Sequence, residues 1–599
     1  MTIKHSYRRF WRGIRAPSLA RMSALCAALC AVLIIAGAGL ARAEAPPDPA
    51  PPKPHSEYLG YNGLPGNYLA GRFAYRQRDV AAAAKFYGRV LAEDYENRKM
   101  VQRALVLTVQ DGRISDAMPL ASHLLELEPN SNIGQLILTI GAVADGRLDE
   151  ALERVRKFER KGIYELTAPM MEAWVELGRG NVDAALAALE PLSAKQAFEM
   201  YHAYHGALMA NISGRQDAVA ENYRRALTAV PGGTLRVVVA YATSLRRDGR
   251  MEEATALFEG YREHNPDSPW LDPIMATINS DVRPELVVST ARQGMAETLF
   301  GAASALPNES AGDTGLIYAY LALHLRPDFP VVQLLVGEIL EELERHEDAI
   351  EAYSAISRDS PYSWSARLRA ASGLASIERV DEAVSILSEM VDENPARSDA
   401  AIALADVLQR NERFDESVKY YDVAIGRTSG IEQRHWSLFY SRGVMLERTK
   451  RWPRAEADFL QALELQPDQP LVLNYLGYSW VEQGINLERA MSLIERAVAL
   501  RPTDGYIVDS LGWAFYRLGD FKNAVKHLER AVELRADDPI ITDHLGDIYW
   551  RVGRQNEARF QWERALVLGA EEDAAIVIRQ KLKDGLSDSD SSGSEEESQ

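Results

Sequence analysis

Between Asp509 and Leu534 the chain reads DSLGWAFYRLGDFKNAVKHLERAVEL, and thirty-four residues on, from Asp543 to Leu568, it reads DHLGDIYWRVGRQNEARFQWERALVL. In both segments apolar residues recur at three- and four-residue intervals, which places them on one stripe of a helix. Gly519 and Gly553 interrupt the stripe at the same point, so each segment predicts helix, turn, helix. The small residues Gly512 and Gly546 on the first helix, and Ala524 and Ala558 on the second, are expected where the two helices of a pair approach.

The skeleton extends upstream. LNYLGYSWVEQGINLERAMSLIERAVALRP carries Gly477 and Ala490, and FYSRGVMLERTKRWPRAEADFLQALELQP carries Gly443 and Ala455. From 443 to 477 and from 512 to 546 the interval is 34 residues; from 477 to 512 it is 35, the turn GINLERA being one residue longer. Weaker copies carry Gly337 and Tyr353, Ala371 and Ala383, Ala405 and Tyr421, Gly71 and Ala83, Ala117, and Ala242 and Ala254; poorer ones fall near Ala151, Ala184 and Ala226, and another ends at Pro327. A period near 34 with this pattern resembles the tetratricopeptide repeat family. The resemblance implies an all-α, superhelical solenoid of about 14 helix–turn–helix repeats from about residue 64 to 572. Stacked neighbours would bury the stripe that no pair can bury alone. Tyr353, Tyr421, Phe459 and Trp562 are expected to fill the space between repeats, and Pro467 and Pro502 to close second helices.

Several stretches depart from the rhythm. PWLDPIMATINSDVRPELVVSTARQG, Pro269 to Gly294, holds three prolines and lacks the skeleton. It is read as an irregular linker over 269–295 between an N-terminal array, 64–268, and a C-terminal array, 296–572; a degenerate repeat is the alternative. In residues 573–586, Ile576, Ile578 and Leu582 share one helix side and suggest a capping helix, and the acidic tail 587–599 is expected to be disordered. The first 43 residues carry seven cations and no acid, then the apolar run Met22–Leu40 and Ala-Arg-Ala. That is the pattern of an export signal, with an uncleaved anchor as the alternative. A proline-rich spacer, 44–63, follows. The expected location is the bacterial periplasm, with no membrane span after cleavage.

Composition narrows the function. The formal charge of −19 becomes −26 without the signal, which argues against nucleic acid or anionic lipid being bound through the bulk charge of the chain. The two cysteines, Cys26 and Cys30, lie in the apolar run, so a cleaved chain has no thiolate chemistry. No phosphate-binding loop, nucleophile elbow or zinc-protease motif is present; HEDAI at His346 lacks the second histidine. His202 and His205 could share a helix face, but no third metal ligand stands nearby. No cofactor or metal is expected. By the family resemblance, the first helices line a binding groove. The positions carried over are Asn474 and Tyr478; Asp509, Trp513 and Tyr516; Asp543, Asp547 and Trp550; with Arg517 and Arg551 beside them. An acidic, aromatic groove would suit protein or peptide segments with basic, aromatic or apolar anchors, unless some of these aromatics only fill between repeats. The expectation is a non-enzymatic binding scaffold of the cell envelope, in outer-membrane protein assembly or polysaccharide export. The competing reading is an exported enzyme with a site in 269–295 or in the N-terminal repeats.

Overall fold

The computed structural model describes residues 63–266, 268–306, 308–428 and 430–586. The expected export signal, all but the last residue of the spacer, and the acidic tail lie outside the described residues. Among those described, every regular element is helical, and no helix is long and apolar enough to cross a membrane. The chain divides into two compact units, one ending at Pro395 and the other beginning at Ala396.

The first unit contains α1 (Leu64–Arg76), α2 (Val80–Glu93), α3 (Arg98–Gln110), α4 (Ile114–Leu127), α5 (Asn132–Ala144), α6 (Leu148–Val155), α7 (Ile163–Gly178), α8 (Val182–Ser193), α9 (Glu199–Ile212), α10 (Gln216–Thr228), α11 (Leu235–Arg247) and α12 (Met251–His264), followed by α13 (Leu271–Ile278), α14 (Ala291–Ala305), α15 (Asn308–Leu325), α16 (Pro330–Glu342), α17 (His346–Ser354), α18 (Ser363–Ser376) and α19 (Val380–Glu393). The second contains α20 (Asp399–Arg410), α21 (Phe414–Gly426), α22 (Trp436–Arg448), α23 (Trp452–Leu465), α24 (Pro470–Gln483), α25 (Leu487–Leu500), α26 (Gly505–Arg517), α27 (Phe521–Leu534), α28 (Pro539–Arg551), α29 (Gln555–Val567) and α30 (Glu572–Asp584). Among the described residues there are thirty helices, and apart from α13 and α30 they form fourteen consecutive pairs.

The backbone keeps the period better than the side chains do. One residue in the turn inside a pair takes a left-handed conformation, at positions 78, 112, 146, 180, 214 and 249, and again at 344, 378, 412, 450, 484, 519 and 553. Most steps are 34 residues. The step from 412 to 450 is 38, and a short 3₁₀ turn, Gln433–His435, lies within it. Glycine holds eight of these positions, but Arg78, Glu344, Glu378, Glu412 and Lys450 hold the others with φ between 56° and 65°. The register therefore continues where the sequence skeleton fades. It also corrects one position: the alanine that meets the first helix near residue 184 is Ala185, fully buried, whereas Ala184 is exposed.

Packing inside a pair follows from residue size. A Cβ on Gly512 would lie 2.7 Å from the Leu528 side chain, and one on Gly546 would lie 2.4 Å from the Trp562 ring. Only glycine admits the second helix this closely. Ala455, Ala490, Ala524 and Ala558 face it from the other side with no exposed surface. Tyr353, Tyr421, Phe459 and Trp562 are also fully buried. Phe459 sits against Gly443 of its own pair as well as 5.1 Å from the Tyr475 ring of the next, so it fills within the pair and between pairs.

The stretch 269–295 differs from the linker reading. It lies inside the first unit, includes α13 and the start of α14, and is tied to its surroundings. Arg246 and Arg247 donate to the carbonyls of Ser280 and Pro284, Arg326 donates to that of Val287, and Val288 is buried. Its physical role is to redirect the chain. Instead of stacking on α11 and α12 as another repeat, α14 lies against α7 and α9, and α15 against α3, α4 and α5. All of these except α4 are first helices of their pairs. In the first unit the first helices α3, α5, α7 and α9 are therefore covered by the chain itself.

Candidate functional site

The groove positions carried over from the family lie on α24, α26 and α28, first helices of three successive pairs in the second unit. α26 and α28 start at aspartate caps: Asp504 accepts from the amides of Tyr506 and Ile507, and Asp538 from those of Ile540 and Ile541. Pro470 and Pro539 at the first helical turn of α24 and α28 set their start. With starts fixed about one period apart, equivalent side chains of neighbouring repeats come side by side.

The result is a ladder of contacts between residues one repeat apart. The two carboxylate oxygens of Asp509 lie 3.0 Å from His544 Nδ1. The His544 ring is sandwiched onto Trp513 at 4.0 Å, and Trp513 stacks on Tyr516 at 4.7 Å. Glu482 accepts from Trp513 Nε1 at 2.8 Å and from Arg517 at 2.9 Å. Arg551 Nε donates to the Tyr516 hydroxyl at 3.4 Å. Lys581 of α30 places its ammonium 2.8–3.0 Å from both carboxylates of Asp543 and Asp547, and Asp547 also accepts from Trp562 Nε1. Burial opposes the charge on His544, but Asp509, with Asp543 and Asp547 nearby, holds its pKa above the ordinary histidine value. Burial pushes the Asp547 carboxyl up to about 6 despite Lys581.

This changes the picture of an acidic groove. Asp509, Asp547, Tyr516 and Asn474 are buried, and Asp543 is nearly so. Their charges are met inside the protein, by His544 and Lys581, rather than displayed. Trp513, Tyr478, Arg517, Trp550 and Arg551 keep partial exposure and form the outer part of the stripe. Sequence reasoning missed Glu482, His544 and Lys581. A signal was available: Asp509 and His544 are 35 residues apart, and Asp547 and Lys581 are 34, so opposite charges recur at the repeat period. The side of α30 also differs from the expectation. Ile578 and Ala575 are buried, Leu582 is half-buried, and Ile576 is exposed, because the helix turns Lys581 toward α28.

The other candidates resolve into local structure. His205 is buried and its Nδ1 accepts from Trp174 Nε1 at 2.9 Å; burial lowers its pKa to about 4, so the ring is neutral. His202 instead neighbours Glu199 and Arg225, and the two histidines do not converge. Among the described residues no cluster of three or more His, Cys, Asp or Glu could hold a metal. Beside 269–295, α11, α13, the loop after it and Pro361–Tyr362 line a cavity of about 420 Å³. Its threonine and serine hydroxyls are turned to backbone carbonyls: Thr243 donates to Val239, Thr277 to Pro273 and Ser280 to Thr277. Arg236 is clamped on Glu297 at 2.6 and 2.8 Å. These are helix-capping and locking contacts, with no nucleophile and base paired among them.

The tetratricopeptide repeat signature matches residues 334–398, 368–430, 402–470, 440–505 and 510–575, and a second signature of the same repeat matches 200–301. The chain belongs to the tetratricopeptide repeat family. It is similar to a TPR repeat-containing protein of Pseudomonas aeruginosa, 32% identical over 91 residues; the match spans 15% of each chain. Among solved structures it is similar to the APC/C hetero-tetramer Cut9–Hcn1 (17% identity, 88% of this chain and 98% of that one, TM-score 0.36). It is also similar to a tetratricopeptide repeat protein of Parabacteroides merdae (14% identity, 42% and 97%, TM-score 0.35). The tetratricopeptide fold is one that supports protein–protein interaction, through surfaces that stacked pairs present in series.

Proposed function

We propose that this tetratricopeptide repeat protein is a non-enzymatic scaffold of the bacterial periplasm that binds segments of other proteins on the first-helix face of α24, α26 and α28, in assembly of the cell envelope. The observation that carries the reading is the aromatic stripe: Trp513 is held by Glu482 of the preceding repeat and Trp550 by Trp562 of its own pair, and both, with Tyr478, stay partly exposed. Rings fixed in place lose little freedom when a partner stacks on them, and such residues dominate interface energies. Because Asp509, Asp543 and Asp547 are already paired, the anchors favoured are apolar or aromatic, with basic groups secondary. In the first unit α14 and α15 cover the first helices α3, α5, α7 and α9, which favours the second unit as the binding region. Export rests on the basic and apolar N-terminal segment.

The test is crosslinked capture from the periplasm followed by mass spectrometry, with Trp513→Ala plus Arg551→Glu as the variant. Both side chains are partly exposed, so helicity should be kept, with melting lowered only by the loss of the Trp513 stack, while the captured set is lost. Capture unchanged in a folded variant removes this face as the binding surface, and absence of the protein from the periplasmic fraction removes the location.

A further inference from the structure

The first helix of the first unit has a side that nothing in the described chain covers. α1 turns Asn67, Gly71 and Ala74 toward α2, where they are buried. On its other side Leu69 and Phe73, one turn apart, are 62% and 64% exposed. On α3 the position equivalent to Phe73, Leu107, is fully buried, and α15 lies against that helix. Solenoids ordinarily finish with a polar outer face, so two exposed apolar side chains at an end of the array call for a partner.

Charge says which kind. Residues 63–93 carry five cations, Arg72, Arg76, Arg78, Lys85 and Arg89, against two acids, Asp79 and Glu93, within a chain of net charge −19. Both acids are occupied: Asp79 caps α2 by accepting from Ala82, and Glu93 accepts from the Leu64 amide. Arg78 pairs with Glu344. Arg72 and Arg89 sit over the rings of Tyr68 and Phe86 at 5.8 and 5.4 Å, and neither is ion-paired among the described residues. Arg72 and Arg76 flank Phe73 on the helix. Apolar and aromatic residues set among arginines on one exposed helix side are the composition of an interfacial helix. The position agrees: α1 begins 24 residues after Leu40, the end of the apolar run.

We propose that α1 docks the N-terminal end of the array onto an anionic lipid surface, Leu69 and Phe73 entering the headgroup boundary and Arg72 and Arg76 on the same helix side meeting lipid phosphates. The placement beside a membrane rests on the export reading above; the contact itself does not. It would hold the array at the membrane even after cleavage of the signal, and would leave α24, α26 and α28 for protein partners.

The experiment is co-sedimentation of the chain from Glu44 to Gln599, which keeps every described helix, with vesicles of phosphatidylglycerol and phosphatidylcholine in equal parts or of phosphatidylcholine alone. Binding is expected only to the anionic vesicles and should weaken with salt, since surface charges are screened. Arg72→Glu with Arg76→Glu, and separately Leu69→Ser with Phe73→Ser, should each weaken it by roughly tenfold or more without changing the melting transition. Arg496→Glu, an exposed cation of the second unit, should leave it unchanged. No binding to anionic vesicles, or binding that survives both double variants, overturns the proposal. So does a concentration-dependent dimer abolished by Phe73→Ser, which would assign the face to a second copy. Failure here leaves the scaffold reading untouched, because that reading is tested by partner capture through Trp513 and Arg551.

Discussion

Glu297→Ala is expected to release the α14–α15 pair from the face it fills. The carboxylate is buried to 1% exposure, accepts from Arg236 at 2.6 and 2.8 Å, and accepts from the Tyr204 hydroxyl at 3.0 Å. Burial alone would raise its pKa, but Arg236 overrides this and keeps it below the ordinary glutamate value, so the pair is ionic. Removing one partner of such a pair leaves a buried guanidinium uncompensated, at a cost of about 3–5 kcal/mol. That is roughly two to four orders of magnitude in the equilibrium between docked and released states. The assays are thermal melting and amide exchange. The variant should lose protection first in α14, α15 and the helices beneath them, α7 and α9, and its transition should fall by roughly 5–15 °C. The combination Glu297→Leu with Arg236→Met should recover most of the loss, because a matched apolar pair need not be less stable than a buried ion pair. A loss below about 1 kcal/mol, or a double variant no better than the single, would refute the account of Glu297 as the lock.

Gly546→Ala should cost about 1–3 kcal/mol in the second unit, read by thermal melting, since the added methyl meets the Trp562 ring at 2.4 Å. Glu378→Gly should raise stability by about 0.5–1 kcal/mol: φ is 65° there, a conformation that costs an L-residue about 1–2 kcal/mol, partly offset by the freedom glycine gains when unfolded. The melting temperature of the second unit should fall as pH rises above about 6.5, because His544 has a raised folded pKa. Its contribution is complete below the unfolded value near 6.5 and disappears as pH passes the folded one. Asp547, pushed up to about 6, adds a loss in the same direction at lower pH. Asp509→Asn should flatten the drop above pH 6, and an unaltered slope would show that the His544 pair does not titrate.

Local sequence determined the helices, their pairing and the period. Gly512, Gly546, Ala524 and Ala558 stand at sites where only small side chains admit a neighbouring helix, and that requirement is written into each repeat independently. The same reasoning located Trp513, Tyr516 and Trp550 on first helices. What local pattern could not decide was which neighbours those side chains meet. Asp509 and Asp547 look like free acids in sequence; they are paired because helices starting one period apart bring His544 and Lys581 alongside. Nor did the weak repeats reveal their register, since the left-handed turn that keeps it tolerates Arg78 or Glu378 where glycine is the expected residue. The largest decision belonged to tertiary structure. LIYAYLALHLRP reads as one more amphipathic repeat, yet consecutive residues from Leu316 to Ala319 are all buried, which is the mark of a helix enclosed on every side. Whether such a helix stacks on its predecessor or folds back over earlier first helices depends on the turn that α13 and the loop after it impose, on Trp174 meeting Gly294, and on the distant pairing of Arg236 with Glu297. Contacts between residues 61 positions apart in the chain have no counterpart in a pattern that repeats every 34.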